Sequence, residues 1–406
     1  MRIKAFQALR PCEDKAALVA SVPYDVVDTE EARILAGSNP CSFLRVSRPE
    51  IEFPAGTDAY SDQVYERGAA NLGKLQAEGI LVRENKPYLY VYRQIMGSHA
   101  QRGIVACCHV EDYEHNVIRK HEKTRKDKED DRTRHVKTLR AHTGPVFLTY
   151  KEVAAIDRLV AAVEEAGKPM LDITAPDGIR HTVWRIPEAE EMAMAFKSVD
   201  LSYIADGHHR AAASARTAAE CRSANPGHTG TEEYNWFMAV LFPANQLRIL
   251  PYNRCVVDLN GLTEDKFISS LQGKFRISVN SQPSPAAPRH ASMYISGKWY
   301  GLEWDEVRSH DPVAVLDVSY LQDSLLSPLL GIKDPRTDTR IEFIGGIRGT
   351  GELEKRVGSG RAAVAFSMYP VSVGQMMAIA DADRLMPPKS TWFEPKLRSG
   401  LLVHTF

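Results

Sequence analysis

Five consecutive residues, Asp206-Gly207-His208-His209-Arg210, carry the densest chemistry in the chain. They stand between a short apolar run, Leu201 to Ala205, and an Ala-rich run, Ala211 to Cys221. The first reads as a strand and the second as a helix, so the five mark a helix N-terminus. Such an end offers unpaired backbone N–H groups and a partial positive charge, which favour anions. Gly207 lets the backbone come close to a phosphate, and Arg210 can pair with one bidentately. His208 and His209 add donors, while Asp206 can face a Mg2+ ion or orient a histidine. A simple Asp-capped turn would account for Asp206 but not for the three basic residues behind it.

Two further segments have the residue types for chemistry. His121-Glu122-Lys123-Thr124 is followed by Lys126, Asp127, Asp130, Asp131 and Arg132. A zinc-protease helix needs a second histidine four residues after the first, and Arg125 stands there, so that reading fails. What remains is a carboxylate among cations, suited to a general base or a polyphosphate clamp, or else a solvated charged helix. Near the C-terminus, Met386 to Lys396 reads MPPKSTWFEPK, stiffened by three prolines. Its Lys389, Ser390 and Thr391 are candidate phosphate contacts, unless the segment is a strap that packs Trp392 and Phe393. Pro23 to Val26, Asn39-Pro40 with Ser42 to Arg45, and Gly345-Gly346 with Arg348 are weaker signals that default to turns.

These groups need a scaffold, and the hydrophobic pattern predicts a mixed one. Helices are expected over Glu30–Leu35, Ser61–Glu78, Val153–Ala166, Pro187–Ser198, Ala211–Cys221, Asp311–Leu330 and Val373–Arg384. Lys86–Met96 and Arg102–Val110 alternate as a hairpin through Gly97-Ser98, and Met293–Trp304 as another through Gly297. Gly144–Tyr150, Leu201–Ala205, Trp236–Phe242 and Arg361–Tyr369 read as buried strands, and Asp177-Gly178 as a hairpin turn. Glu111–Arg140 is so charged that an exposed helix or mobile segment is expected, and Ser281–His290 reads as a loop. Strands alternating with helices argue an α/β (mixed α+β), two-lobed protein. Three regions are expected: 1–110, 111–260 and 261–406.

Composition narrows the classes. The chain has 406 residues, 44% of them hydrophobic, enough for a normal core without disulfides. Lys plus Arg is 51 against 52 for Asp plus Glu, a balance that argues against a nucleic-acid coat or a membrane-surface role. No apolar run reaches the ~18 residues of a membrane helix, and Met1–Arg10 lacks signal-peptide features, so a cytoplasmic protein is expected. The six cysteines (12, 41, 107, 108, 221 and 255) form no C-x-x-C pair and read as reduced, structural thiols. No P-loop, Rossmann glycine fingerprint, kinase glycine loop or G-x-S-x-G elbow occurs.

Taken together, PYDVV at Pro23–Val27, NPCSFLRV at Asn39–Val46, HEKT with Asp131-Arg132, ADGHHR at Ala205–Arg210 and MPPKSTWFEPKLRSGL at the C-terminus resemble the DUF1015 family. They follow one another in that family's order along nearly the whole chain. The D-G-H-H-R box also resembles the phosphate-binding box of free-serine kinases in the ParB/sulfiredoxin superfamily, which implies a core of that kind around the turn. The resemblance implies that Asp206 is the metal or orienting carboxylate, that Gly207, His208, His209 and Arg210 hold phosphate, and that Glu122 is the base. Sulfiredoxins carry a cysteine where position 208 here is His, which argues against sulfinic-acid reduction. ParB-like DNA clamping fits poorly with the near-neutral charge.

The expected activity is therefore a Mg2+-dependent phosphotransferase acting on free L-serine or a similar hydroxy amino acid, or the reverse, with ATP, ADP or pyrophosphate as donor. Lys389 and Ser390 would add phosphate contacts. Ser42, Arg45 and Thr391 would hold the substrate's carboxylate and ammonium. Arg210→Ala is expected to cut turnover with little change in melting temperature. The alternatives are a CTPase- or ATPase-type nucleotide switch and, third, a metal-dependent hydrolase with Asp206, His208 and His209 as ligands.

Overall fold

The computed structural model describes residues 1–406. The chain forms two compact units, one made of Met1–Leu247 with Pro395–Phe406 and the other of Arg248–Glu394. The expected boundary at 110 does not hold, because strands from both sides of it hydrogen-bond in one sheet. The expected boundary at 260 moves to 247, and the last twelve residues return to the first unit.

The first unit is built on a nine-stranded mixed sheet. Its strands are β1 (Ile3–Lys4), β2 (Leu89–Met96), β3 (His99–His109), β4 (Ile118–Arg119), β5 (Val146–Tyr150), β6 (Leu171–Thr174), β7 (Arg180–Ile186), β8 (Ser202–Asp206) and β9 (Trp236–Pro243). The order is β4-β8-β5-β9-β3-β2-β7-β6, with β1 beside β3. The β4/β8 and β5/β9 pairs are parallel and the others antiparallel. The expected hairpin of β2 and β3 is present, with Tyr92 opposite Gly103. Strands β5 and β9 are buried along almost their whole length and read as unbroken apolar runs, as central strands do. Val91, Ile104, Leu148, Ile156, Phe196, Ile204 and Phe237 meet in the main core.

Five helices of this unit matter for the site or its support: α1 (Thr29–Ala36), α2 (Asp62–Ala77), α3 (Lys126–Leu139), α4 (Ala154–Ala166) and α5 (His208–Ala224). Helix α1 starts with a reciprocal capping box between Asp28 and Glu31. The stretch 111–140 is not the exposed or mobile segment that its charge suggests. Helix α3 buries Asp131, Thr133, His135, Val136 and Leu139. Its outer charges pair with α5, where Arg216 meets Glu129 and Asp130, and Lys137 meets Glu220 at 2.6 Å. The charge run thus serves as a helix-to-helix seam rather than a solvated face.

The second unit carries a fully antiparallel six-stranded sheet. Its strands are β10 (Tyr252–Val256), β11 (Arg276–Val279), β12 (His290–Ile295), β13 (Lys298–Glu303), β14 (Ile341–Gly345) and β15 (Val364–Met368), in the order β11-β13-β12-β15-β10-β14. Phe267, Leu302, Leu321, Leu325, Phe366 and Ile379 form its core. The helix expected over 311–330 is confined to Asp317–Leu321 plus one wider helical turn, Gln322–Leu326. Asp311 accepts a hydrogen bond from the Val313 N–H at 3.0 Å, so it closes a turn instead of opening the helix. Most of 386–400 is irregular as expected, but Trp392–Glu394 pairs antiparallel with Arg248–Leu250.

Candidate functional site

Strand β8 delivers the D-G-H-H-R residues to the start of α5. Its pairing with β5 slips between Ile204 and Asp206; a bulge at that place re-aims the side chain that follows it. Gly207 then takes φ +94°, and a Cβ there would sit 3.0 Å from the Arg210 guanidinium. Only glycine fits both the left-handed turn and that approach. The helix begins earlier than the Ala-rich run suggests: His208, His209 and Arg210 form its first turn, and no side chain caps it. Their N–H groups therefore have no intrahelical partner.

Asp206 accepts a hydrogen bond from Lys396 Nζ at 3.2 Å, and its other oxygen lies 3.8 Å from Arg210. Burial opposes its ionisation, but the Lys396 and Arg210 charges outweigh burial and hold the carboxyl well below the usual range. Arg210 is nearly buried, donates to the Pro145 carbonyl, and reaches Asp25 at 3.4 Å. Its Nε has no hydrogen-bond partner. Breaking these contacts takes Arg210 from Asp25 and the Pro145 carbonyl and leaves Asp206 with Lys396 alone. The expectation that Arg210→Ala spares the fold is therefore corrected.

The segment before α3 approaches the same helix end. His208 is buried, with Nδ1 3.6 Å from Glu122 Oε2 and Nε2 3.5 Å from the His121 backbone nitrogen. The His121 and His208 rings meet edge to face at 4.5 Å. Burial pushes both imidazoles down to about 3, so both are neutral at pH 7. His209 is partly exposed and its Nε2 accepts the Arg125 N–H at 3.1 Å. Glu122 is 44% exposed, and the neutral His208 ring is its neighbour. Beyond Arg210, Arg132 stacks on Tyr24 at 4.1 Å and pairs with Asp131, which also accepts the Tyr65 hydroxyl at 2.9 Å.

The structure thus brings together Glu122, Asp206, Gly207, His208, His209 and Arg210. It adds Lys396, Asp25 and His121, which lie in segments the sequence flagged but to which it assigned no role. Asp25 lies in the Pro-Tyr-Asp segment, and Lys396 lies seven residues past Lys389 in the same proline-rich stretch; spacing alone did not separate the two lysines. Ser42 and Arg45 line a different cavity with Glu52, Asn71 and Lys74. Arg45 is committed there to Glu52 at 2.8 Å and to the Asn39 and Gly37 carbonyls. Its expected role toward a substrate carboxylate is therefore corrected. Lys389, Ser390 and Thr391 belong to the second unit. There Lys389 Nζ lies 5.7 Å from the Tyr252 ring centre, and the Ser390 hydroxyl donates to the Pro387 carbonyl at 2.7 Å.

The metal trio expected from Asp206, His208 and His209 is also corrected. His209 Nε2 is already taken up by the Arg125 backbone N–H. The three donors that lie within 4.8 Å of one another belong to His121, Glu122 and His208. Behind Arg210 a cavity of about 30 Å³ runs between Tyr24, Arg132, His142 and Ser214, the size of a water site. A larger cavity of about 580 Å³ is lined by Arg10, Leu159, Trp184 and Met192 and by no residue of the turn. No helix is long and apolar enough to cross a membrane.

Fold and site define a mixed α/β protein in which an interior strand presents the D-G-H-H-R turn at a helix mouth. The chain belongs to the family described as "protein of unknown function (DUF1015)", whose model matches residues 3–319. No curated protein matches it. Similar solved structures include a free serine kinase variant in complex with AMP, at 10% identity and TM-score 0.35 over 71% of this chain and 86% of that one. Another is SbnI with a C-terminal truncation from Staphylococcus aureus, at 12% and 0.37 over 73% and 85%. A conserved hypothetical protein from Pyrococcus furiosus aligns at 11% and 0.34 over 71% and 90%.

Proposed function

We propose that this chain is a Mg2+-dependent phosphotransferase that moves a phosphoryl group between a phosphate donor and free L-serine or a similar small hydroxy amino acid, in either direction. The observation that carries the reading is the meeting of Gly207, Arg210 and Lys396 at one uncapped helix N-terminus with Glu122 standing clear of any arginine or lysine partner. Phosphoryl transfer is mainly a matter of positioning and charge neutralisation. The free N–H groups of α5, Arg210 and Lys396 supply positive charge from three directions of the chain. A serine hydroxyl needs a base to take its proton as it attacks. Glu122 has the exposure for that role, and the neutral His208 ring lies 3.6 Å from its carboxylate.

Mg2+ prefers one or two carboxylate oxygens and otherwise keeps water and phosphate oxygens around it. Asp206, 28% exposed, and Asp25, 34% exposed, flank Arg210 with such oxygens, so the residues present fit the ion. Bound there, Mg2+ would neutralise phosphate charge. Asp206 meanwhile holds Lys396 and Arg210 in place through its own ion pairs. Arg125, Lys126 and Lys128 are nearby in sequence to Glu122 and would strengthen attraction of a polyphosphate.

The test is ³¹P NMR of the purified chain with Mg2+ and L-serine, offering ATP, ADP and pyrophosphate separately. A phosphoserine resonance that disappears in Asp206→Ala is expected, and it names the donor. Folded protein that makes no phosphoserine with any donor overturns the reading. Tight nucleotide binding without serine-dependent turnover would then favour a nucleotide switch.

A further inference from the structure

A buried imidazole with nothing to bond to is costly. His121 is fully buried, and neither of its ring nitrogens has a hydrogen-bond partner. The phosphotransferase reading gives this side chain no task. Sequence spacing withheld a metal role from His121-Glu122 because position 125 is arginine. The fold supplies the missing histidine from 87 residues downstream, as the His208 ring, whose Nε2 stands 3.5 Å from the His121 backbone nitrogen. That long contact is a weak hydrogen bond and yields easily.

We infer that His121, Glu122 and His208 form a binding site for one first-row transition-metal dication, of the Zn2+ or Co2+ kind. Two imidazoles and one carboxylate are a donor set that such ions favour and that Mg2+ does not. The three donor atoms lie within 4.8 Å of one another, and Glu122 Oε2 is 3.6 Å from His208 Nδ1. Metal bonds of ~2.0–2.2 Å require the donors to draw in by about 1 Å. The half-exposed Glu122 carboxylate is the mobile member that can close this gap, and its exposure gives the ion a way in. With three protein ligands, the ion keeps an open position for water or a phosphate oxygen. If Glu122 is the base proposed above, the ion occupies it, and the site brakes turnover. Binding itself does not depend on that reading.

The test uses the full chain, stripped with a chelator and dialysed, titrated with Co2+ and followed by visible absorption, then with Zn2+ by calorimetry. One equivalent of Co2+ should bind with d–d bands of low-coordinate cobalt. Zn2+ should displace it, and millimolar Mg2+ should not. Glu122→Gln removes a direct ligand and should weaken binding by at least the ~10- to 100-fold that loss of an outer-shell partner costs, and His121→Gln should abolish the bands. Melting curves without metal establish that each variant is folded. Should His121→Gln fail to fold, the Glu122→Gln result decides, because that side chain is half in solvent. No stoichiometric binding at 100 μM Zn2+, displacement by Mg2+, or binding unchanged in Glu122→Gln overturns the assignment. Since none of these readouts requires turnover, they succeed or fail separately from phosphoserine formation.

Discussion

The two units treat buried charge differently. In the first, His121, Asp131, His208 and Arg210 are all nearly inaccessible, and they converge on the mouth of α5 and the flank of α3. The second unit buries Arg254, which donates to the Tyr252 carbonyl and lies over the Phe343 ring, and Glu394, which accepts the Trp392 indole N–H. It buries no histidine. Burying polar groups costs stability unless they are paired, so a fold concentrates them where they serve something else. By that measure the proposed site belongs to the first unit.

The largest expected effect tests this contrast directly. Arg210→Lys keeps the charge but loses the planar fork that reaches Pro145, Asp25 and phosphate together. Phosphoserine formation should fall ~100- to 1,000-fold. Arg210→Ala should fall further and also cost on the order of 2–3 kcal/mol, less than a fully buried pair because Asp25 and Asp206 are part-exposed. Arg254→Met, in contrast, should leave turnover within about twofold, since a buried cation is often replaced by an apolar side chain at little cost. Steady-state assays of the three variants decide it. Equal loss in Arg254→Met would erase the distinction between the units.

Glu122→Gln sharpens the comparison inside the first unit. Removing a general base typically costs ~10²- to 10⁴-fold in turnover. Because the side chain is half in solvent and has no cationic partner, the melting temperature should stay within about 1 °C. A large drop in melting temperature with turnover retained would make Glu122 a structural residue instead.

Gly207→Ala has a smaller, mixed effect. A Cβ at φ +94° costs ~1–2 kcal/mol in backbone strain. It also presses on the Arg210 guanidinium at 3.0 Å. Stability and turnover should therefore fall together, turnover by about tenfold through a displaced Arg210. Loss of stability alone would mean that the exact seat of Arg210 is unimportant.

Particular residues show how far the sequence could be read. The apolar run before Asp206 and the Ala-rich run after it announce a strand and a helix, and both exist because local pattern and tertiary packing agree there. The sequence could not show that His208 to Arg210 form the first helical turn, because the left-handed Gly207 that permits it is a backbone fact. Glu111–Arg140 misled because charge was taken for exposure; Glu129, Asp130 and Lys137 of α3 pair with α5. Lys396, Asp25 and His121 were hidden for a common reason. Each reaches the turn by long-range packing, 190, 185 and 87 residues away along the chain, and no local period encodes such a contact.

The last expected effect is in the pH dependence of stability, where the units should differ in sign; in the first, the buried neutral His121 and His208, held at about 3, lose stability as pH falls below 6.5. In the first unit, burial pushes Glu233 upward, but hydrogen bonds from His404 and Lys4 prevail and hold it at about 2. Burial lowers the His404 imidazole below its usual range, and the Glu233 carboxylate accepts from its Nε2. A carboxyl held below its unfolded value adds stability above about 4.5, which is lost as pH falls from there toward 2. In the second unit, burial raises Asp317 to about 6, although the Arg289 N–H opposes the rise. The folded state then binds the proton more tightly than the unfolded state does. Acidification from 6 toward 3.8 therefore stabilises that unit, and the gain is lost as pH rises back through the same window. Glu233 is 44% exposed, so its share should stay under about 1 kcal/mol. Hydrogen exchange followed peptide by peptide from pH 6.5 to 4.5 should show protection growing in β12 and its neighbours but not in β9, and Asp317→Asn should flatten the trend. A trend that survives Asp317→Asn, or that appears equally in β9, would mean that the titrating groups are not divided between the units in this way.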